Sequence, residues 1–159
     1  MINKTRTLIY ALITILAVTV VVPSVSGQDQ FGSGNSIVGT WVAAVTIRNC
    51  QTNAEIVTVR ALNTFNQGGT MMEAGNGLYR GPGHGTWDRS KGNEYTSTFM
   101  FFRFNPDGTF AGSQKVNRVH TLSDHGSALT TTATFEVTSP DGTVLVSGCA
   151  TESAVRLAE

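Results

Sequence analysis

The sequence predicts an all-β fold, namely a single antiparallel eight-stranded up-and-down barrel. Beyond residue 36, no segment of ten or more residues repeats its apolar positions at helical spacing, whereas period-two alternation and β-branched or aromatic runs recur. Turns rich in Gly, Asn and Asp separate these runs by a few residues, and such short connections imply antiparallel neighbours. A meander of this kind must stack into a sandwich or close into a barrel to hide its edges.

The first residues have a different composition from the rest. Lys4 and Arg6 precede an apolar stretch, Leu8 to Val22, which ends at Pro23 and is followed by the small residues 24–26. This arrangement is typical of a cleavable signal peptide, and the stretch is short for a membrane span, which takes about 20 residues. An uncleaved N-terminal anchor is the alternative.

The expected domain organisation has three parts: a signal peptide at 1–26, a polar and glycine-rich leader at 27–36, and the barrel at 37–159. Cleavage after residue 26 would remove both early basic residues and leave 9 basic and 11 acidic residues, a net charge of −2. A nearly neutral chain is a poor match for phosphate backbones, so nucleic acid is not an expected partner. We expect a secreted or periplasmic protein without a membrane span after cleavage.

Each strand is predicted where alternation or a β-branched run lies between two turn signals. The first holds Trp41, Ala43, Val45 and Ile47 on one face, and the two Pro-Asp-Gly sequences at residues 106–108 and 140–142 mark hairpins. The predicted strands are Ile37–Ile47, Glu55–Phe65, Thr70–Glu73, Gly85–Arg89, Tyr95–Phe104, Phe110–Leu122, Ala128–Thr138 and Thr143–Leu157.

The chain has two cysteines, Cys50 and Cys149. In an oxidising compartment an even pair predicts one disulfide, and two buried free thiols are the alternative. The bridge would close a loop of roughly 100 residues, for which the chain-entropy description assigns about 4–5 kcal/mol of stabilisation.

Gly39-Thr40-Trp41 opens the first strand, and Arg156 lies near the end of the last. This pattern resembles that of the lipocalin and calycin superfamily, in which a Gly-X-Trp on the first strand packs under a late arginine. The resemblance covers the mature chain in length and strand count, and in motif its two ends. It implies that Trp41 and Arg156 close one end of the barrel, where a guanidinium over an indole face gains cation–π energy.

The register of the two terminal strands can be predicted twice. In an antiparallel pair the residue numbers of facing residues have a constant sum, which is 197 for Trp41 with Arg156 and 199 for Cys50 with Cys149. Both pairs therefore predict that the first and last strands lie side by side, as a closed barrel requires. Unless a bulge intervenes, alternation places the two pairs on opposite faces. Coincidence, or a sandwich that pairs its terminal strands, remains an alternative.

The strand through Phe99–Phe104 is apolar on both faces. We expect Phe99 and Phe101 to point inward, in phase with Tyr95 and Ser97. The outer face would then be covered by the leader or a loop, or would form a contact between identical subunits.

The sequence shows no catalytic motif and no cofactor fingerprint. His84 lies in a glycine-rich segment beside Asp88 and Glu94, where acid–base chemistry is conceivable, but a histidine on a loop at the barrel rim is the simpler interpretation. His120 and His125 lack the ligand spacing of a metal site. No catalytic, cofactor or metal residue is therefore assigned.

Three functions are compatible with such a barrel. The first hypothesis is a binding protein that holds a small hydrophobic ligand inside the barrel. The second is a barrel-type cyclase or isomerase resembling allene oxide cyclase, and the third is a structural or protein-binding module with a filled core. The residues expected to line a ligand site are Trp41, Val45, Met72, Tyr95, Phe99 and Phe101.

Overall fold

The computed structural model describes residues 36–123 and 125–157, which form one closed antiparallel barrel with its eight strands in sequence order. This confirms the predicted fold class. The predicted signal peptide and the leader up to residue 35 lie outside the described residues. The strands are β1 (Gly39–Arg48), β2 (Glu55–Phe65), β3 (Thr70–Gly75), β4 (Gly83–Lys91), β5 (Glu94–Phe104), β6 (Phe110–Leu122), β7 (Ala128–Thr138) and β8 (Val144–Arg156).

The barrel closes by pairing of β1 with β8. Trp41 faces Arg156 and Arg48 faces Cys149, so the residue numbers of every facing pair sum to 197. Cys50 lies two residues beyond the end of β1, and it forms a disulfide with Cys149 across a Cα–Cα distance of 5.3 Å. The difference of two between the predicted registers is thus explained by a bridge that starts in the turn after the strand.

The two ends of the barrel differ. We call the end where β1 begins the floor and the opposite end the mouth. The disulfide, the connection 76–82 between β3 and β4, and the hairpins at 105–109 and 139–143 all lie at the mouth. Side chains at odd positions of β1, β2, β3 and β5 point inward, in keeping with the two-residue period of a strand.

Large side chains fill the floor half of the interior. Trp41 and Phe65 have at most 1% of their surface exposed, and Tyr95 has 2%. They belong to one cluster of buried residues from seven strands and from the segment before β1, which continues upward through Phe99 and Phe101. The remaining large members of this floor cluster are Ile37, Met71, Leu122 and Leu129.

The two Pro-Asp-Gly hairpins form as predicted. Asp107 Oδ1 accepts a hydrogen bond from the Thr109 backbone N–H at 3.0 Å, and Asp141 Oδ1 accepts one from the Thr143 N–H at 3.1 Å. Hydrogen bonds from the side-chain hydroxyls of Thr109 and Ser139 lower the pKa of the two carboxyl groups most, and these backbone hydrogen bonds lower it further. Both aspartates are therefore turn residues.

The shortest strand, β3, pairs with β4 only from Thr70 to Glu73. β4 begins at Gly83, earlier than predicted, so His84 lies on a strand and points outward rather than sitting in a loop. Glycine at position 85 allows β4 to approach β5 closely, because a Cβ there would lie 2.0 Å from the Thr98 carbonyl oxygen.

The described part of the chain contains no helix that is long and apolar enough to cross a membrane.

Candidate functional site

The mouth half of the barrel contains a cavity of about 90 Å³. Its wall is mostly aliphatic and aromatic, and its polar groups come from β3, β6, β8 and the connection 76–82. The apolar side chains that line it are Val45, Ile47, Val59, Ala61, Phe99, Phe101, Val116, Ala133, Phe135 and Ala150. The polar residues are Glu73, Arg80, Gln114, Arg118, Thr151 and Glu152.

A buried polar layer separates this cavity from the filled floor. Arg118 Nη1 donates to Asn63 Oδ1 at 3.0 Å, and Asn63 Nδ2 donates to Glu152 Oε1 at 3.0 Å. Arg118 Nη1 also lies 3.3 Å from Glu152 Oε2, which accepts no hydrogen bond from the described residues. Burial raises the pKa of Glu152, and the charge of Arg118 and the Asn63 hydrogen bond oppose that rise.

A second ion pair lies at the mouth. Arg80 projects from the connection 76–82, and its Nη1 donates to Glu73 Oε1 at 3.1 Å while its Nη2 contacts Glu73 Oε2. The Glu73 side chain is 2% exposed and that of Arg80 is 15% exposed. The pair therefore has one partner sealed in the wall and one partner close to solvent.

Both arginines lie on aromatic rings. The Arg80 Cζ is 3.6 Å from the centroid of Phe101, and the Arg118 Cζ is 4.3 Å from that of Phe99. The two phenylalanine rings stack with their centroids 6.2 Å apart. One wall of the cavity is thus an aromatic surface that attracts cations. Burial of the two guanidinium groups costs desolvation free energy, which their ion pairs with Glu73 and Glu152 offset.

Two glycines make space for the mouth ion pair. A Cβ at Gly75 would lie 2.2 Å from Arg80 Nη1 and 3.0 Å from Glu73 Oε1. A Cβ at Gly83 would lie 3.1 Å from Glu73 Oε2 and 2.6 Å from the Phe99 ring. Any larger residue at these positions would occupy the space around the Glu73 carboxylate.

The floor is closed by the two residues that the resemblance to lipocalins singled out. The Arg156 Cζ lies 4.4 Å from the centroid of the Trp41 ring. The guanidinium donates to three backbone carbonyls, those of Val38 at 2.8 Å, Gly126 at 2.6 Å and Ser36. Arg156 therefore ties the segment before β1 to the turn before β7 across the base of the barrel.

The histidines do not form a site. His120 is buried near the floor between the hydroxyls of Ser97 and Thr131, each 2.8 Å from a ring nitrogen. Burial, aided by the charge of Arg118, lowers the pKa of His120 to about 3, so the ring is neutral at physiological pH. His84 and His125 are exposed. In the described part of the chain, no three His, Cys, Asp or Glu residues lie close enough to hold a metal ion.

The structure brings together half of the residues expected to line a ligand site. Val45, Phe99 and Phe101 line the cavity. Trp41 and Tyr95 are interior but lie below it in the floor cluster. The expectation for Met72 was wrong.

Met72 is 47% exposed on the outside of β3, and its neighbour Met71 takes the inward position. Because successive side chains of a strand alternate, only one of two adjacent methionines can face the interior. The phase of this short strand is set by its pairing with β2, in which Phe65 faces Met71.

The sequence reasoning missed the four charged residues of the cavity. A signal was present, because Glu152 lies in phase with Ala150 and Arg156, and Arg118 lies in phase with Val116 and His120. A charged residue on the apolar face of a strand indicates a buried pair.

The outer face of β5 carries exposed aromatic surface. Phe102 is 58% exposed and packs edge-on against Phe110, with ring centroids 5.7 Å apart, and Phe104 is 36% exposed. The inward direction of Phe99 and Phe101 agrees with expectation. A subunit contact through Phe99–Phe104 stays a prediction.

Comparison of the chain with protein-family models and with curated proteins finds no match. The closed eight-stranded barrel is compatible with a calycin-like fold.

Proposed function

We propose that this protein is an exported, lipocalin-like barrel that binds a small, largely apolar molecule in the cavity of its mouth half. The observation that carries the proposal is the contrast between the two halves of the interior. Large side chains fill the floor half, whereas the mouth half holds a cavity of about 90 Å³ walled mainly by apolar groups. Pockets of this composition, with a few placed polar groups, are the usual form of ligand sites.

The cavity volume restricts the size of the ligand. An apolar cavity of about 150 Å³ is enough to bind benzene, and drug-sized ligands occupy roughly 300–1,000 Å³. A cavity of about 90 Å³ suits a short aliphatic chain or a smaller group. A larger ligand would need the Arg80 side chain to leave the mouth.

The disulfide supports the extracytoplasmic part of the proposal. A bridge between Cys50 and Cys149 is stable in oxidising compartments and rare in the cytosol. It agrees with the signal peptide expected at residues 1–26.

Ligand-observed NMR with 1-butanol tests the proposal directly. We expect saturable, weak binding that Ala133→Leu reduces at least about tenfold, because added methyl groups on the cavity wall occupy the ligand's space. Ala74→Leu is the matched control, since Ala74 is exposed on the outside of β3 and should leave binding unchanged. Equal binding by both variants would show that the cavity is not the site, and absence of binding by 1-butanol and by its charged analogues would favour the filled-core module.

A further inference from the structure

We propose that the ligand is a small organic cation, an ammonium or guanidinium with a short apolar tail, which takes the place of the Arg80 guanidinium against Glu73 and Phe101. This inference rests on the proposed function and names the chemical class of the ligand. The Arg80 guanidinium then occupies the site when no ligand is bound.

The burial of Glu73 is the first reason. Its side chain is 2% exposed, and Arg80 supplies all the hydrogen bonds that its carboxylate accepts from described residues. An unpaired carboxylate at such a position is strongly unfavourable. Any ligand that displaces Arg80 must therefore bring a positive charge or leave Glu73 unpaired.

The way in which Arg80 is held is the second reason. The backbone on either side of it is fixed to β5, because Gly81 N–H donates to the Phe102 carbonyl at 2.9 Å and Phe104 N–H donates to the Tyr79 carbonyl at 2.8 Å. The Arg80 side chain is the more exposed member of the ion pair. It can rotate toward solvent while the connection keeps its place, so exchange needs no unfolding of the barrel.

The shape and charge of the vacated space are the third reason. The Phe101 ring would offer its face to a cation, as it does to Arg80 at 3.6 Å, and Gly75 and Gly83 keep the space around the carboxylate free of Cβ atoms. The apolar wall beyond would take a short tail. A neutral ligand would leave Glu73 unpaired, and an anion would be repelled by it.

Three molecules of the same length test the choice of charge at pH 7. We expect n-butylammonium to bind at least about tenfold more tightly than 1-butanol, and butyrate not to bind measurably. Glu73→Gln keeps the shape and removes the charge, so it should abolish the advantage of the ammonium. Glu136→Gln is the matched control, because Glu136 is exposed on β7.

A second variant removes the tethered guanidinium. Arg80→Ala should melt at a lower temperature than the wild type, and n-propylguanidinium should restore its melting temperature. The variant should bind n-propylguanidinium at least about tenfold more tightly than the wild type does, because in the wild type the ligand competes with Arg80. Arg60→Ala, at an exposed position of β2, should show neither effect. This arm decides the question if Glu73→Gln does not fold.

The outcomes separate the two proposals. If 1-butanol and n-butylammonium bind equally and Ala133→Leu weakens both, the binding function stands and the cation inference is overturned. If n-butylammonium binds Glu73→Gln as well as the wild type, or if n-propylguanidinium does not stabilise Arg80→Ala, the assignment to Glu73 is overturned. If none of the probes binds, both proposals fall.

Discussion

Removal of the disulfide should destabilise the barrel strongly. The bridge joins residues 99 positions apart, so it restricts nearly the whole barrel in the unfolded state. The chain-entropy relation assigns about 4.7 kcal/mol to a loop of roughly 100 residues, and engineered bridges often deliver less. A typical domain has about 5–15 kcal/mol of stability in total.

The melting temperature is the natural measurement. For a domain of this size, each kcal/mol of lost stability lowers the melting temperature by roughly 3–5 °C. We therefore expect the melting temperature of Cys50→Ser/Cys149→Ser to fall by about 10–20 °C. Far-ultraviolet circular dichroism at low temperature should still show the strands, because β1 and β8 remain paired from Trp41 to Arg48 without the bridge. A loss of less than about 3 °C would refute the reasoning, since the bridge would then restrict little of the unfolded chain.

Three further predictions concern the interior. Trp41→Ala should cost about 3–5 kcal/mol in urea unfolding, the range for a fully buried aromatic, and a loss under about 1 kcal/mol would contradict its role at the floor. The pKa of His120 is about 3 when folded, below its usual 6.5, so the folded state binds fewer protons. The free energy of unfolding should therefore fall by about 1.4 kcal/mol per pH unit as the pH falls from 6.5 toward 3. His120→Gln should remove this part of the pH dependence. An unchanged slope of the free energy of unfolding against pH in that variant would count against a buried neutral ring. Gly85→Ala should lower the melting temperature by several degrees because its methyl would meet the backbone of β5, whereas Thr86→Ala on the exposed face should stay close to the wild type.

The fold could be predicted because its signals are local and repeated. Period-two alternation located the strands, and the Pro-Asp-Gly hairpins are specified by residues only a few positions apart. The pairing of β1 with β8 is non-local, yet it could be predicted because two pairs at the chain ends gave nearly the same register.

The cavity could not be predicted to the same extent. Its polar groups pair across distant strands, as Arg118 does with Glu152, and no local pattern shows which charges meet. The Arg80–Glu73 pair depends on the path of a seven-residue connection, which sequence alone does not specify. Met71 and Met72 show the remaining difficulty, because a short strand contains too few residues to fix its phase.

The junction of β1 and β8 is held at both of its ends, by the contacts of Arg156 with Val38 and Trp41 at the floor and by the disulfide at the mouth. Transient opening of the wall should therefore occur elsewhere, and the brief pairing of β3 with β4 is the weakest seam. Backbone amides there should exchange with deuterated water sooner than those of β1 and β8. The pairing of β3 with β4 also borders the connection that carries Arg80. Transient opening of the barrel wall and entry of the ligand would therefore take place on the same side of the molecule.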